Sequence, residues 1–130
     1  MAREPAIALD TESNSFHHYP EQLCLIQIAT RYKVYIIDTI ALKDIAPLKE
    51  VLENDSIKKV VHGADYDIRS LDRHCGFHIR NLYDTNIAAR FAGMTRVSLG
   101  ALIEDLLGVT IQKSKRLQRA NWGQRPLSAE

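Results

Sequence analysis

Ala6-Ile7-Ala8-Leu9-Asp10-Thr11-Glu12 reads as a buried strand that ends in acid. A strand alternates its side chains, so Asp10 and Glu12 project from the same face. Asp and Glu are poor strand formers. Side by side at the end of a buried strand they repel each other, and burial raises that cost. A divalent cation is the usual remedy, and hard oxygen ligands suit Mg²⁺ or Mn²⁺. The pair therefore points to metal-dependent phosphate chemistry. An Asp-x-Glu taken alone also fits a solvated strand end.

Working outward, Ser13 to Gln22 is a polar, His-containing loop. Leu23 to Ala29 and Val34 to Asp38 are apolar, β-branched runs. The short polar connector Thr30-Arg31-Tyr32-Lys33 makes them a hairpin. Residues 44–53 carry apolar positions Ile45, Leu48, Val51 and Leu52 with a helical period. Val60-Val61-His62 is a short strand ended by Gly63. Ala64, Ile68, Leu71 and Cys75 then form one continuous stripe on a helix that Gly76 is placed to cap. Another helix begins near Asp84 or Thr85, with Ile87, Ala88 and Phe91 inward and Gly93 after it. Ser98 caps a further helix carrying Leu99, Leu102, Ile103, Leu106 and Leu107, which Gly108 ends. The first three strands can be antiparallel, and the 44–53 helix can return the chain as a parallel strand. The expected fold is α/β, a mixed sheet of three antiparallel strands followed by parallel ones, flanked by helices.

The chain has 130 residues, 45% hydrophobic and 25% charged, which suits one domain with a modest core. Its net charge of +1 excludes global polyelectrolyte attraction, so nucleic-acid contact must come from a local patch. No apolar run of about 18 residues is present, so no membrane-spanning helix is expected. Met1-Ala2-Arg3-Glu4-Pro5 carries no signal-peptide core. Cys24 and Cys75 suit two buried thiols in a reduced, cytoplasmic chain better than a disulfide. Pro126-Leu127-Ser128-Ala129-Glu130 reads as the start of a helix, with Ser128 as N-cap and Glu130 in the first turn. One turn alone contributes almost no stability, so the expectation is a piece of a longer protein.

A third carboxylate sharpens the metal reading. Asp67 lies early in the 64–75 helix, at the edge of its apolar stripe. If the strand at 59–62 lies beside 6–12, Asp67 approaches Asp10 and Glu12. Three converging acids can hold two Mg²⁺ ions about 3.5–4 Å apart and activate a water for in-line attack at phosphorus. Asp65 and Asp67 both also fit a first-turn helix acid. Convergence separates them, with Asp65 the cap and Asp67 the ligand.

At these residues a family resemblance becomes specific. Leu9-Asp10-Thr11-Glu12 and His62-Gly63-Ala64-Asp65-Tyr66-Asp67-Ile68 resemble the first two motifs of the ribonuclease D branch of the DEDD 3′–5′ exonucleases. Leu25-Ile26-Gln27-Ile28, Leu82-Tyr83-Asp84-Thr85 with Ala88-Ala89, and Ala120-Asn121-Trp122-Gly123-Gln124-Arg125-Pro126-Leu127 resemble further family signatures, so the similarity spans residues 6–130. The resemblance implies a ribonuclease H-like fold. It implies Asp10, Glu12 and Asp67 as catalytic residues and ligands of two Mg²⁺ or Mn²⁺ ions. The substrate it implies is single-stranded nucleic acid, hydrolysed from its 3′ end and released as nucleoside 5′-monophosphates. RNA is the expected polymer, and the same residues would serve on DNA. Thr11, His62 and Arg125 are the candidate substrate-binding residues; Arg125 suits either a phosphate or a helix-end carbonyl.

The pattern departs from the family in two places. The third motif, Tyr-x-x-x-Asp a few residues beyond the Arg-Pro-Leu segment, lies outside these 130 residues. Neither Asp84 nor Asp105 is assigned to its role, and the chain by itself is expected to bind metal weakly and cleave little. Ser13 stands where ribonuclease D has an aromatic residue. The rival reading is a non-catalytic nucleic-acid-binding module with an incomplete active site. The basic residues Lys113, Lys115, Arg116 and Arg119 could track a strand backbone, with Trp122 offering a stacking face; the alternative, favoured for Trp122, is a solvated loop with the indole packed in the core. His17 and His18 lie in the loop after the first motif, within reach of substrate. His74, Cys75 and His78 lack the four-ligand spacing of a zinc site. Oligomeric state is open, and no membrane partner is expected.

Overall fold

Five strands form a single sheet in the order β3-β2-β1-β4-β5. They are β1 (Ala6–Ser13), β2 (Leu23–Ala29), β3 (Val34–Asp38), β4 (Lys58–Val61) and β5 (Leu82–Asp84). The computed structural model describes residues 4–17 and 19–129. β1 pairs antiparallel with β2, and β2 with β3. β1 pairs parallel with β4, and β4 with β5. The mixed antiparallel-then-parallel sheet expected from the element order is observed, with β5 as a strand that the sequence pattern does not predict. The carboxyl ends of β1, β4 and β5 consequently share one edge, the usual place for a ligand site in such sheets.

One face of the sheet carries the core. Ile7 and Leu9 of β1, Ile26 and Ile28 of β2 and Val61 of β4 pack against Leu52, Leu71 and Phe77. The helix α2 (Asp65–Cys75) supplies Leu71, fully buried, with Ile68 and Cys75 partly buried on the same side. Burying a leucine side chain fully contributes about 1.5–3 kcal/mol. Gly76 closes α2 in the left-handed conformation, as its place after the stripe predicts. Lys59 is also fully buried, with Nζ donating to the Asn54 and Ile57 carbonyls at 2.6 and 2.8 Å. Its ammonium closes the turn that leads into β4, and burial pushes its pKa down.

The β1–β2 register shifts between Glu12 and Ser13: Glu12 faces Leu25, Ser13 faces Leu23, and Cys24 is the extra residue. Bulges of this kind bend a strand and re-aim its side chains. Here Leu23 rejoins the core, and four successive residues, Leu23 to Ile26, are buried. Cys24 and Cys75 are free thiols, the first buried and the second half-buried.

Four expectations from the sequence need correction. The 44–53 helix is shorter: a 3₁₀ turn over Ala46–Leu48 runs into α1 (Lys49–Leu52). Pro47 has no N–H and suits only the first turn, so the helix cannot start earlier. Asp65 does not cap α2; it pairs instead with Arg69 at 2.7 Å. Ile87 and Phe91 of α3 (Thr85–Phe91) are exposed, and Ala89 is the buried position. No element among the described residues covers that side. No helix forms over residues 126–129, and Glu130 lies outside the described residues. Two further elements complete the chain. Ser98 caps α4 (Leu99–Leu107), which Gly108 ends, both as predicted. Ser114 caps the short α5 (Lys115–Gln118) within the basic segment.

Candidate active site

Asp10 and Glu12 emerge from β1 on the face opposite Ile7, Leu9 and Thr11, as strand alternation requires. Thr11 points inward and is buried, and its hydroxyl donates to Asp67 Oδ1 at 2.5 Å. This bond carries the third carboxylate to the end of the central strand. β4 lies beside β1, and α2 starts four residues after β4 ends, so Asp67 approaches from the core face.

The electrostatics of the three acids are coupled. Burial, then the charges of Asp10 and Asp67, push the Glu12 carboxyl up from 4.5 to about 7. Burial raises Asp67, the Thr11 hydroxyl works against that, and Asp10 adds to it. Burial raises Asp10 against the Thr11 backbone N–H, although its outer side keeps contact with solvent. None of the three forms an ion pair with lysine or arginine among the described residues. The residues therefore fit a hard divalent cation in chemistry: three oxygen donors whose mutual repulsion is uncompensated. They do not form a finished cage. Among the described residues no group of three His, Cys, Asp or Glu side chains is assembled to hold an ion, and Asp67 remains engaged by Thr11.

Asp84 organises the neighbouring edge. Its carboxylate accepts from Gly63 N at 3.0 Å, Ala64 N at 2.7 Å, Asn86 N at 2.8 Å and Ile87 N at 3.3 Å. Burial opposes its ionisation, but the four N–H donors outweigh burial and hold the carboxyl below its ordinary value. One side chain thus caps α3 and fixes the Gly63 turn, where φ is +69°, ahead of α2. The Asp84 carboxylate is thus occupied by backbone N–H donors.

A groove runs along the open face of the sheet past Asp10, Gln27, His62, Thr85, Leu99 and Lys113. His62 is half-buried, and its Nδ1 lies 2.9 Å from the Thr85 hydroxyl. Gln27 sits directly across from Asp10 in the β1–β2 register. In the sequence Gln27 stands only within the Leu25-Ile26-Gln27-Ile28 signature, with no role of its own; a lone amide in the apolar run Leu23 to Ala29 is the signal that marks it. Lys113 opens the basic segment of the sequence. Its stem packs on α4, where a Cβ at Gly100 would lie 3.6 Å from its Cε.

Two candidate substrate contacts are engaged elsewhere. The Thr11 hydroxyl is inside and bound to Asp67. Arg125 donates from Nε and Nη2 to Asp38 at 2.8 and 2.7 Å, and from Nη1 to the Trp122 and Gln124 carbonyls at 2.6 and 2.8 Å. That fork matches a carboxylate geometrically, and it fastens the 120–126 segment to the end of β3. His17 bonds the Arg119 carbonyl at 2.8 Å, joining the loop to the C-terminal segment, and His18 lies outside the described residues. Trp122 is half-buried, and its Nε1 is enclosed without a partner among the described residues.

A sheet of this order, with paired carboxylates closing its central strand and a third on the adjoining helix, defines a ribonuclease H-like exonuclease domain. The chain belongs to the 3′–5′ exonuclease family, whose model matches residues 1–130. It is 41% identical over 123 residues to the exosome complex exonuclease RRP6 of Saccharomyces cerevisiae, covering 94% of this chain and 16% of that protein. The structure of Escherichia coli RNase D, an exoribonuclease involved in structured RNA processing, matches with a TM-score of 0.88 and 35% identity. That match covers 98% of this chain and 34% of the other. Brucella melitensis NrnC with bound Mg²⁺ matches with a TM-score of 0.81 and 25% identity, over 98% and 63% of the two chains. The chain thus spans about a sixth of the curated relative and a third of the RNase D chain.

Proposed function

We propose that this chain is the catalytic portion of a metal-dependent 3′–5′ exoribonuclease. It would shorten single-stranded RNA from the 3′ end and release nucleoside 5′-monophosphates. The observation that carries the reading is the mutual electrostatic effect of three partly buried acids near the end of β1: Asp10 and Asp67 both raise the Glu12 carboxyl, and Thr11 draws Asp67 to the same strand. Asp10, Glu12 and Asp67 would hold two Mg²⁺ or Mn²⁺ ions. Bound there, such ions supply Lewis-acid stabilisation of charge on the attacking and leaving oxygens. The protein's own part is to aim the acids. Thr11 and the buried end of β1 fix Asp67 and Glu12, and Asp84 holds the Gly63–Ala64 turn that sets the start of α2. His62, braced by Thr85, and Gln27 offer hydrogen bonds to a strand end in the groove. Lys113 offers a charge to its phosphates.

We propose a cytoplasmic setting on the strength of the two free thiols.

The test is degradation of a 5′-labelled single-stranded RNA with Mn²⁺, with EDTA as control. It compares this chain with the same chain extended by about 20 residues of its parent sequence, enough for a stable helix. A ladder that shortens from the 3′ end in the extended protein, and vanishes in Asp10→Asn, is the expected result. Binding without cleavage by both proteins, with folding intact, would replace this reading by the non-catalytic binding module.

A further inference from the structure

Thr11 and Ser13 lie two residues apart on β1, and each bonds a residue in the first turn of α2. Thr11 takes Asp67, and Ser13 takes the Tyr66 hydroxyl at 2.5 Å. The Tyr66 hydroxyl also lies 2.7 Å from Glu21 Oε2. An ionised carboxylate only accepts, so Tyr66 donates to Glu21 and accepts from Ser13. Glu21 Oε1 meets Arg73 Nη1 at 3.4 Å, two turns further along the same helix. Ser13 opens the 13–22 loop and Glu21 closes it, so one phenol ties both ends of the loop to the helix that carries Asp67.

The tie falls where strand pairing is least regular. The β1–β2 register shifts between Glu12 and Ser13, and pairing resumes at Ser13–Leu23 with Asn14 N donating to the Gln22 carbonyl at 3.2 Å; the phenol adds a link from this bulge to α2, which the ladder does not provide. Glu12 lies between the two hydroxyl residues, and Asp67 follows Tyr66 directly. Ser13, where the ribonuclease D resemblance leads one to expect an aromatic residue, is short enough to receive the phenol.

We propose that Tyr66 is a positioning residue. Through Ser13 and Glu21 it sets the place of Glu12 relative to Asp67, and hence the geometry offered to a divalent ion. The inference rests on the metal reading proposed above.

Two measurements on the extended protein described above, the parent for every variant, test it: Mn²⁺ binding, followed by the resonance signal of the free ion, and amide hydrogen exchange across residues 13–22. Tyr66→Phe keeps the ring and removes the hydroxyl. Ser13→Ala removes only the strand end of the tie. Each variant is expected to weaken Mn²⁺ binding by about tenfold, the scale of residues that orient metal ligands. The double variant should bind no more weakly than either single one, and the loop amides should exchange faster in Tyr66→Phe. If the parent chain binds Mn²⁺ and both variants bind it equally well, Tyr66 merely anchors a loop and the inference is wrong. If the parent shows no Mn²⁺ binding that Asp10→Asn removes, the metal reading itself fails, and the parent's own result identifies that failure.

Discussion

Replacing Glu12 by Gln should make the metal-free protein more stable above neutral pH. The Glu12 carboxyl is raised from 4.5 to about 7, by burial and then by Asp10 and Asp67. That difference corresponds to about 3 kcal/mol of cost to the ionised form in the fold. Glu12 keeps partial contact with solvent, and screening reduces the expected figure to about 1–2 kcal/mol. The sign follows from the raised value. Below about pH 4.5 the group is neutral in both states, and the cost is absent. Between about 4.5 and 7 the unfolded chain releases its proton first, so stability falls as pH rises. Above about 7 the full cost is present.

Glu12→Gln removes the charge and keeps the shape. Its thermal midpoint should therefore exceed that of the parent by roughly 4–8 °C near pH 8, and match it near pH 4. Saturating Mn²⁺ should reverse the order. A ligand at about 100 times its Kd stabilises by about 2.7 kcal/mol, and the variant forfeits a ligand. Thermal unfolding followed by circular dichroism, with EDTA and with Mn²⁺, reads all four conditions. A metal-free variant near pH 8 that melts at or below the parent would refute the argument from repulsion.

Two further outcomes follow from the side chains that frame the site. Asp84→Ala leaves four backbone N–H groups without their acceptor and should cost about 2–3 kcal/mol; urea unfolding gives the figure, and faster exchange at Gly63 and Ala64 locates it. Arg125→Ala should cost about 1–2 kcal/mol, with a coupling to Asp38→Ala of about 1 kcal/mol in a double-mutant cycle. The Arg125 bonds hold Asp38 down at about 2, so this contribution is present above the ordinary carboxylate value and lost as pH falls through about 2. Arg125→Ala should accordingly flatten the acid limb of the stability curve, which unfolding at a series of acid pH values would show.

Much of the fold was legible because local patterns and tertiary demands agree. The apolar run of β1, the hairpin of β2 and β3, the stripe of α2, and Gly76, Ser98 and Gly108 at helix ends all state in sequence what the structure adopts. β5 leaves no pattern in the sequence, because three residues are too few to show a period. The inward placement of Ile87 and Phe91 failed because periodicity says which side is apolar, not whether anything covers it. Lys59 reads as a surface residue, and only the carbonyls of Asn54 and Ile57 make its burial tolerable.

The site divides in the same way. Alternation along β1 puts Asp10 and Glu12 on one face, a property of the backbone that needs no partner. The sequence by itself therefore determined the paired acids and their motif, and with them the family. Tertiary structure decided the rest, because each remaining role depends on which distant group stands within hydrogen-bond reach. Thr11 turned inward to hold Asp67, Arg125 closed on Asp38 across 87 positions of chain, Asp84 became the brace of two turns, and Tyr66 met Ser13 and Glu21. A hydroxyl or a guanidinium has no role until folding supplies its partner.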